Sequence, residues 1–123
     1  MSSSLIWELT KNYHSKLAKN VNRQVWSKEA GNLSGKNSFK YSGLANLNST
    51  VDVSEVDGAV AISVSKKNGK LATSLCKKNT RRTIQAAGAV AASKRPDLKR
   101  AAMARAAAIS KGLKKRAALA TAK

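Results

Sequence analysis

Seventeen of the 24 lysines and arginines lie after residue 60, with a single acid, Asp97, among them; residues 1–60 hold seven basic and five acidic side chains. The second half therefore carries all but two of the +18 formal charges. Self-repulsion on that scale opposes any compact state that stands alone. Little apolar bulk is available to oppose it. Hydrophobic residues fill 42% of the 123 positions, but 21 of them are alanine, a side chain that favours helix and buries little area. In a chain this size, burial barely exceeds the conformational entropy lost on folding. The balance argues against a tightly packed free-standing enzyme and for one small domain completed by a polyanion.

The basic residues form short groups spread along the second half: Lys66-Lys67 with Lys70, Lys77-Lys78, Arg81-Arg82, Lys94-Arg95, Lys99-Arg100, Arg105 and Lys114-Lys115-Arg116. A single block of like charge would read as a disordered arm. Groups spread over several elements fit a folded body that faces phosphate on more than one side. The plain alternative, solvated helix faces, normally mixes both signs.

Other chemistries find little footing. Cys76 is the one cysteine, so no internal disulfide or cysteine-rich zinc site is available, and a half-buried structural thiol is the expected role. His14 is the one histidine and has no motif around it, so nucleophile activation by a neighbouring base is not expected. Phosphate-cradling glycine loops of the GxxxxGK[ST] or GxGxxG type are missing. The longest run without a polar side chain, Ala86 to Ala92, is far short of the roughly 20 residues that span a bilayer. The N-terminus has no basic-then-apolar pattern of a secretory signal. No enzymatic activity, metal, cofactor, small-molecule substrate or membrane partner is expected.

Periodicity predicts an α+β fold. Leu5, Ile6 and Leu9 follow three serines able to cap, which predicts a short helix over 4–12; an edge strand with Trp7 and Leu9 on one face is the alternative. Two short strands are expected at 16–19 and 22–26 around a turn at Asn20-Val21. Residues 27–50, rich in Gly and Asn, read as a long ordered loop. Asp52, Glu55 and Asp57 read as a turn before a strand. Val60, Ile62 and Val64 alternate with Ala61, Ser63 and Ser65 in a strand over 59–65. Asn68-Gly69 turns it into a return strand over 71–77, with Leu71, Thr73 and Leu75 on one face. Thr80 is expected to cap a helix over 81–93 with Ile84, Ala87, Val90 and Ala91 on its apolar side. A second helix starts at Pro96, with a stripe of Leu98, Ala102, Ala106, Ile109 and Leu113 and a stop at Gly112. Residues 1–111 thus form one domain, and 112–123 a basic alanine-rich tail or a helix that forms on contact.

Within the loop, Asn37-Ser38-Phe39-Lys40-Tyr41 alternates amide, aromatic and cationic groups, which suits stacking on unpaired bases beside phosphate. Phe39 and Tyr41 could equally anchor the loop to the core, and both roles hold if one ring faces inward and the other outward. The expected RNA-facing set is Asn37, Phe39, Lys40, Tyr41, Lys66, Lys67, Lys70, Lys77, Lys78, Arg81, Arg82, Lys94, Arg95, Lys99, Arg100, Arg105, Lys114, Lys115 and Arg116.

Several segments in order carry a family resemblance. Trp26-Ser27-Lys28-Glu29 leads to Asn32-Leu33, then to Asn37 through Tyr41 with Gly43-Leu44. Thr83-Ile84, Arg95-Pro96-Asp97-Leu98-Lys99, Ala101-Ala102 and Ala106 to Ile109 follow. Together with Leu5 to Trp7, they resemble the eukaryotic large-subunit ribosomal protein twenty-eight family, of the "twenty-eight e" type, over about residues 3–111. The resemblance implies a small antiparallel sheet with an N-terminal element and C-terminal helices. It also implies a structural role on the large subunit of the cytosolic ribosome, assembled in the nucleolus, bound to ribosomal RNA and neighbouring proteins without a cofactor. A related ribosome-assembly factor would be cysteine-rich near its N-terminus. A chromatin-type linker protein would carry a proline-rich lysine-alanine tail, whereas this chain has one proline. A membrane-active helix over 96–113 would need a denser lysine face and a bulkier apolar stripe.

Overall fold

The structure is a computed structural model that describes residues 1–66 and 68–122. The chain runs through a short helix α1 (Ser3–Thr10), a two-stranded ribbon β1 (Leu17–Lys19) and β2 (Val25–Ser27), and a long irregular loop ending in a 3₁₀ turn at Leu47–Ser49. A three-stranded meander follows, β3 (Val51–Val56), β4 (Ala59–Ser65) and β5 (Leu71–Cys76), and then two helices, α2 (Thr80–Lys94) and α3 (Lys99–Thr121), joined through a 3₁₀ turn at Pro96–Leu98. Both sheets are antiparallel. The α+β architecture expected from the periodicity is the one observed.

The register explains the core. Val51 and Val53 of β3 lie opposite Val64 and Ile62 of β4, and their side chains share one face of the sheet. The helix pair covers that face over β3 and β4. Ala87 and Ala91 of α2 and Leu98, Ala102 and Ala106 of the second helical segment close over it, all buried. The two helices approach closely at Gly88, where an added Cβ would come within 2.9 Å of the Met103 side chain.

Strand β3 corrects the turn expected around Asp52, Glu55 and Asp57. Asp52 alternates with Val51 and Val53, which are fully buried, while Glu55 shares the valines' face at the exposed end of the strand; burial of the valines outweighs the poor strand propensity of the acids. The turn lies beyond it, at Asp57-Gly58, both with positive φ. The helix cap shifts by one residue: Asn79 is the extended residue before α2, its carbonyl accepting from Thr83 N–H, and Thr80 begins the helix. Gly112 does not stop α3, which runs on to Thr121. Tertiary contacts carry the helix past the glycine: Leu113 packs against the core, and Arg116 makes a bidentate pair with Glu55 of β3 at 2.5 and 2.8 Å. On β5, Leu71 and Leu75 share a face as read, but it is the open one, and they are 62% and 47% exposed. Ala72, Ser74 and Cys76 lie opposite Val64, Ile62 and Val60, and the smaller residues take the helix side.

The loop over 28–46 is ordered by side chains rather than by a ladder. Ser2 caps α1 by accepting from Leu5 N–H, and Asn37 donates to the Lys11 carbonyl at 2.7 Å, tying the loop to the end of that helix. Glu29, buried, accepts from the Asn32 amide and from Gly43 N–H. Gly43 passes so close to the preceding turn that a Cβ there would overlap the Ala30 carbonyl and meet the Gly31 backbone at 3.1 Å. Arg95 clasps the loop to the start of α3, donating to the Lys40 carbonyl and to Asp97. That hydrogen bond holds the Asp97 carboxyl below its ordinary range, with partial burial opposing it.

Two results are expected from this packing. Gly43→Ala lowers unfolding free energy by about 1–3 kcal/mol through overlap with fixed backbone, whereas Gly112→Ala, where a Cβ meets nothing within 4 Å, raises helix stability by about 0.5–1 kcal/mol; urea unfolding and far-UV circular dichroism separate the two. Because the folded-state pKa of Asp97 is depressed, its contribution is present above its unfolded value of about 3.9 and is lost as pH falls through the folded value. Asp97→Asn is therefore expected to lower stability at pH 7, with the loss shrinking as pH falls below about 4, measured by thermal melts across that range.

Candidate nucleic-acid interface

The helix termini place the charges. Helices α2 and α3 are antiparallel neighbours, so the start of α2 and the late turns of α3 meet at one end of the body. Lys77 and Lys78 leave β5 there, Arg81 and Arg82 fill the first turn of α2, and Lys111, Lys114 and Lys115 lie in the second half of α3. A groove of about 390 Å³ at this end is lined by Lys77, Lys78 and Lys114, with Thr80, Ser110 and Asp57 between them. The opposite pole gathers Lys94 at the end of α2 with Lys99 and Arg100 at the start of α3. The β4–β5 hairpin tip carries Lys66 and Lys70, at the far end of those strands from Lys77 and Lys78. Lys67 lies outside the described residues.

Neither α2 nor α3 has an acid in its own first turn. Helix N-termini carry roughly half a positive charge, so anions stabilise them and cations destabilise them. Arg81-Arg82 and Lys99-Arg100 therefore stand where the helices themselves are worse off for them. The positive end of each helix dipole and the cations beside it concentrate positive charge in a way that suits phosphate, although Asp97 precedes α3 and Lys99 N–H is already bonded to the Pro96 carbonyl there.

Acids do little to offset this outside. Glu8 pairs with Lys11, Asp97 with Arg95 and Glu55 with Arg116, and Glu29 is buried. Asp52 receives its own neighbour's backbone N–H from Val53. Asp57 is the one acid lining the basic groove.

Not every cation on the expected list points outward. The Arg105 guanidinium donates to the Val53 carbonyl at 2.7 Å and reaches the carbonyls of Asn32 and Leu33 at 3.4 and 3.3 Å. It thereby stitches α3, β3 and the loop together. Arg95 has its side chain only 15% exposed in its clasp with Asp97, and Arg116 is engaged with Glu55. Lys66, Lys70, Lys77, Lys78, Arg81, Arg82, Lys94, Lys99, Arg100, Lys114 and Lys115 are exposed, with no ion-pair partner among the described residues.

The loop aromatics divide as the inward-and-outward reading allowed. Tyr41 packs on the core, with the Lys40 ammonium 5.3 Å from its ring centre. Phe39 faces out, 42% exposed, its ring 6.2 Å from that of Trp7 and tilted by 55°. Asn37 spends its amide N–H on the Lys11 carbonyl. Trp26, beside this loop and 37% exposed, was not on the list; the signal for it was the lysine and amides that follow it in sequence.

Two comparisons with known proteins bear on this surface. The Large ribosomal subunit protein eL28 of Dictyostelium discoideum is 44% identical over 63 residues, which is 51% of this chain and 46% of that protein, so the aligned stretch spans under half the relative's length. The model of the Ribosomal L28e protein family matches residues 5–112. That stretch takes in α1, both sheets, the long loop, α2 and most of α3, and the chain belongs to the Ribosomal L28e family.

Proposed function

We propose that the chain is a structural constituent of the large subunit of the cytosolic eukaryotic ribosome, assembled there through the nucleolus. It binds and stabilises ribosomal RNA and lies against neighbouring large-subunit proteins. Membership of the Ribosomal L28e family supports the assignment to the subunit. One observation carries the RNA reading: arginine and lysine fill the first turns of both C-terminal helices, against the helices' own electrostatics, with no acid in those turns.

The mechanism is electrostatic and steric. Exposed cations at the two poles and the hairpin tip neutralise phosphates on separate RNA segments, and each contact releases condensed counterion. A rigid body with basic groups at several corners clamps those segments at fixed spacing. Shape, unpaired bases and 2′-hydroxyls supply the selectivity. The core alanines of α2 and α3 face the sheet, and it is the exposed Ala89, Ala104 and Ala108 that let backbone lie close to a groove while long side chains straddle it.

Affinity for large-subunit RNA is expected to fall by about 10³–10⁵ between 50 and 200 mM salt for six to ten phosphate contacts, by duplex-DNA calibration. Arg81→Ala and Arg100→Ala each weaken binding and lower the salt slope by about one. Arg105→Ala instead lowers unfolding stability and leaves the slope intact. Salt-titrated filter binding beside thermal melts reads all three; an affinity indifferent to salt would overturn the mechanism. In cell extracts, the tagged chain is expected to sediment with translating ribosomes. Sedimentation with nucleolar precursors alone would identify an assembly factor instead.

A further inference from the structure

From the β1–β2 ribbon and the loop beside it, we infer a second RNA contact of a different kind: a single unpaired nucleobase stacks on Trp26 and is read by Asn37 and Ser38, its phosphate held by Lys36. The inference rests on the RNA-binding reading and adds a base-recognition site away from the basic poles. Trp26 is the central residue of β2, opposite Ala18 of β1 on one side and bridged to Lys36 on the other. Side chains directly opposite each other share a face, so the indole stands between a methyl group and a lysine. Alanine leaves the ring uncovered on its side, which accounts for a tryptophan 37% exposed in a chain short of large apolar residues. Beside it lies a cleft of about 310 Å³ lined by Gln24, Val25, Trp26, Lys36, Asn37 and Ser38. That is roughly ten times one water's share of the liquid, enough for a planar base.

Two of the lining residues supply the second observation. Asn37 Oδ1 and Ser38 Oγ are buried and have no hydrogen-bond partner among the described residues. Buried polar groups are nearly always paired, and an exception calls for an explanation. Asn37 is oriented by its amide N–H on the Lys11 carbonyl, which leaves Oδ1 as an acceptor only. The Ser38 hydroxyl can donate or accept. An acceptor next to a donor matches the Watson–Crick edge of any unpaired base, which presents an N–H beside a ring nitrogen or carbonyl. A base wedging along the indole reaches them by shifting side chains, chiefly the long exposed stem of Lys36.

The test uses the full chain with Trp7→Phe, so that Trp26 is the one indole. Titration with hexauridylate at low salt is expected to quench Trp26 emission, while a blunt RNA duplex of equal charge binds without quenching. Trp26→Ala is expected to lower affinity for the single strand by about 5- to 150-fold, the range for one stacked base, with the salt slope unchanged. Trp26→Phe restores most of the loss, and Ser38→Ala, at a hydroxyl with no protein partner, lowers affinity by a few fold without moving the melting temperature. Should Trp26→Ala fail to fold, quenching in the Trp7→Phe chain and the Ser38→Ala affinity still decide. Salt-dependent RNA binding with unmoved Trp26 emission would sink this site and leave the general RNA reading standing. Failure of every RNA to bind would sink both. Emission that responds to purified ribosomal proteins but not to the oligonucleotide would replace the base with a protein partner and overturn the proposal.

Discussion

The close laying of two alanine-rich helices on a valine-faced sheet is the constraint from which the rest follows. Seven of the thirteen buried hydrophobic residues are alanine. Such a core gains little free energy per residue from transfer out of water, about 25 cal/mol for each Å² of apolar surface buried. Its stability therefore depends on close approach and on tight polar ties. Gly88 and the alanines let α2 and α3 draw together. Arg105, with its guanidinium on carbonyls of both the strand and the loop, fixes the helix pair to the part of the chain that has no ladder of its own. A core this thin cannot also absorb like-charge repulsion, so the cations are carried outward, to helix ends and a hairpin tip where they stand far apart.

What the sequence made legible was the part governed by local rules. The strand over 59–65 and its Asn68-Gly69 turn follow from strict alternation and a residue that tolerates positive φ, and the structure reproduces those bounds. The apolar sides of α2 and α3 follow from helical periodicity in the same way. The misreadings fall where tertiary packing overrules a local preference. Val51 and Val53 alternate with Asp52 and Ser54, a period-two signal hidden by the acids, and only the paired β4 makes the strand necessary. Gly112 is a sound helix stop in isolation, but Leu113 on the core and Arg116 on Glu55 carry the helix on to Thr121. On the candidate interface, sequence could count the cations but not sort them. Helical periodicity puts Arg105 beside the apolar stripe and Arg100, five residues earlier, on the far side, but nothing local says that Arg105 turns in on three carbonyls of β3 and the loop.

The same sorting shows how the molecule acquires its outward character. Three of the six acids are matched to Lys11, Arg95 and Arg116, and a fourth, Glu29, is buried holding the loop together. The negative charge is thus largely consumed in fastening α1, the loop and the extension of α3, and what reaches solvent is almost wholly basic. Structural economy and function coincide in Arg95 and Arg116, which lend the fold its few ion pairs while Arg81, Arg82, Lys99 and Arg100 are left unpaired at sites a helix alone would reject.

The polar atoms that lack partners are distributed just as unevenly. Glu29 Oε2, Asn37 Oδ1 and Ser38 Oγ all fall in the loop between β2 and β3, and none falls in the sheet–helix body among the described residues. A body with its hydrogen bonds closed is finished by its own chain; a loop with buried capacity unspent is not, because each such atom has been taken from water without compensation. Beside this loop, Trp7 meets Phe39 and Trp26 lines a cleft with Asn37 and Ser38. The chain is thus divided into a body whose exposed charge is basic and a lobe that holds aromatics and amides. Under the proposed function, an RNA with both paired and unpaired segments meets the two together, which neither a uniform duplex nor a membrane surface does.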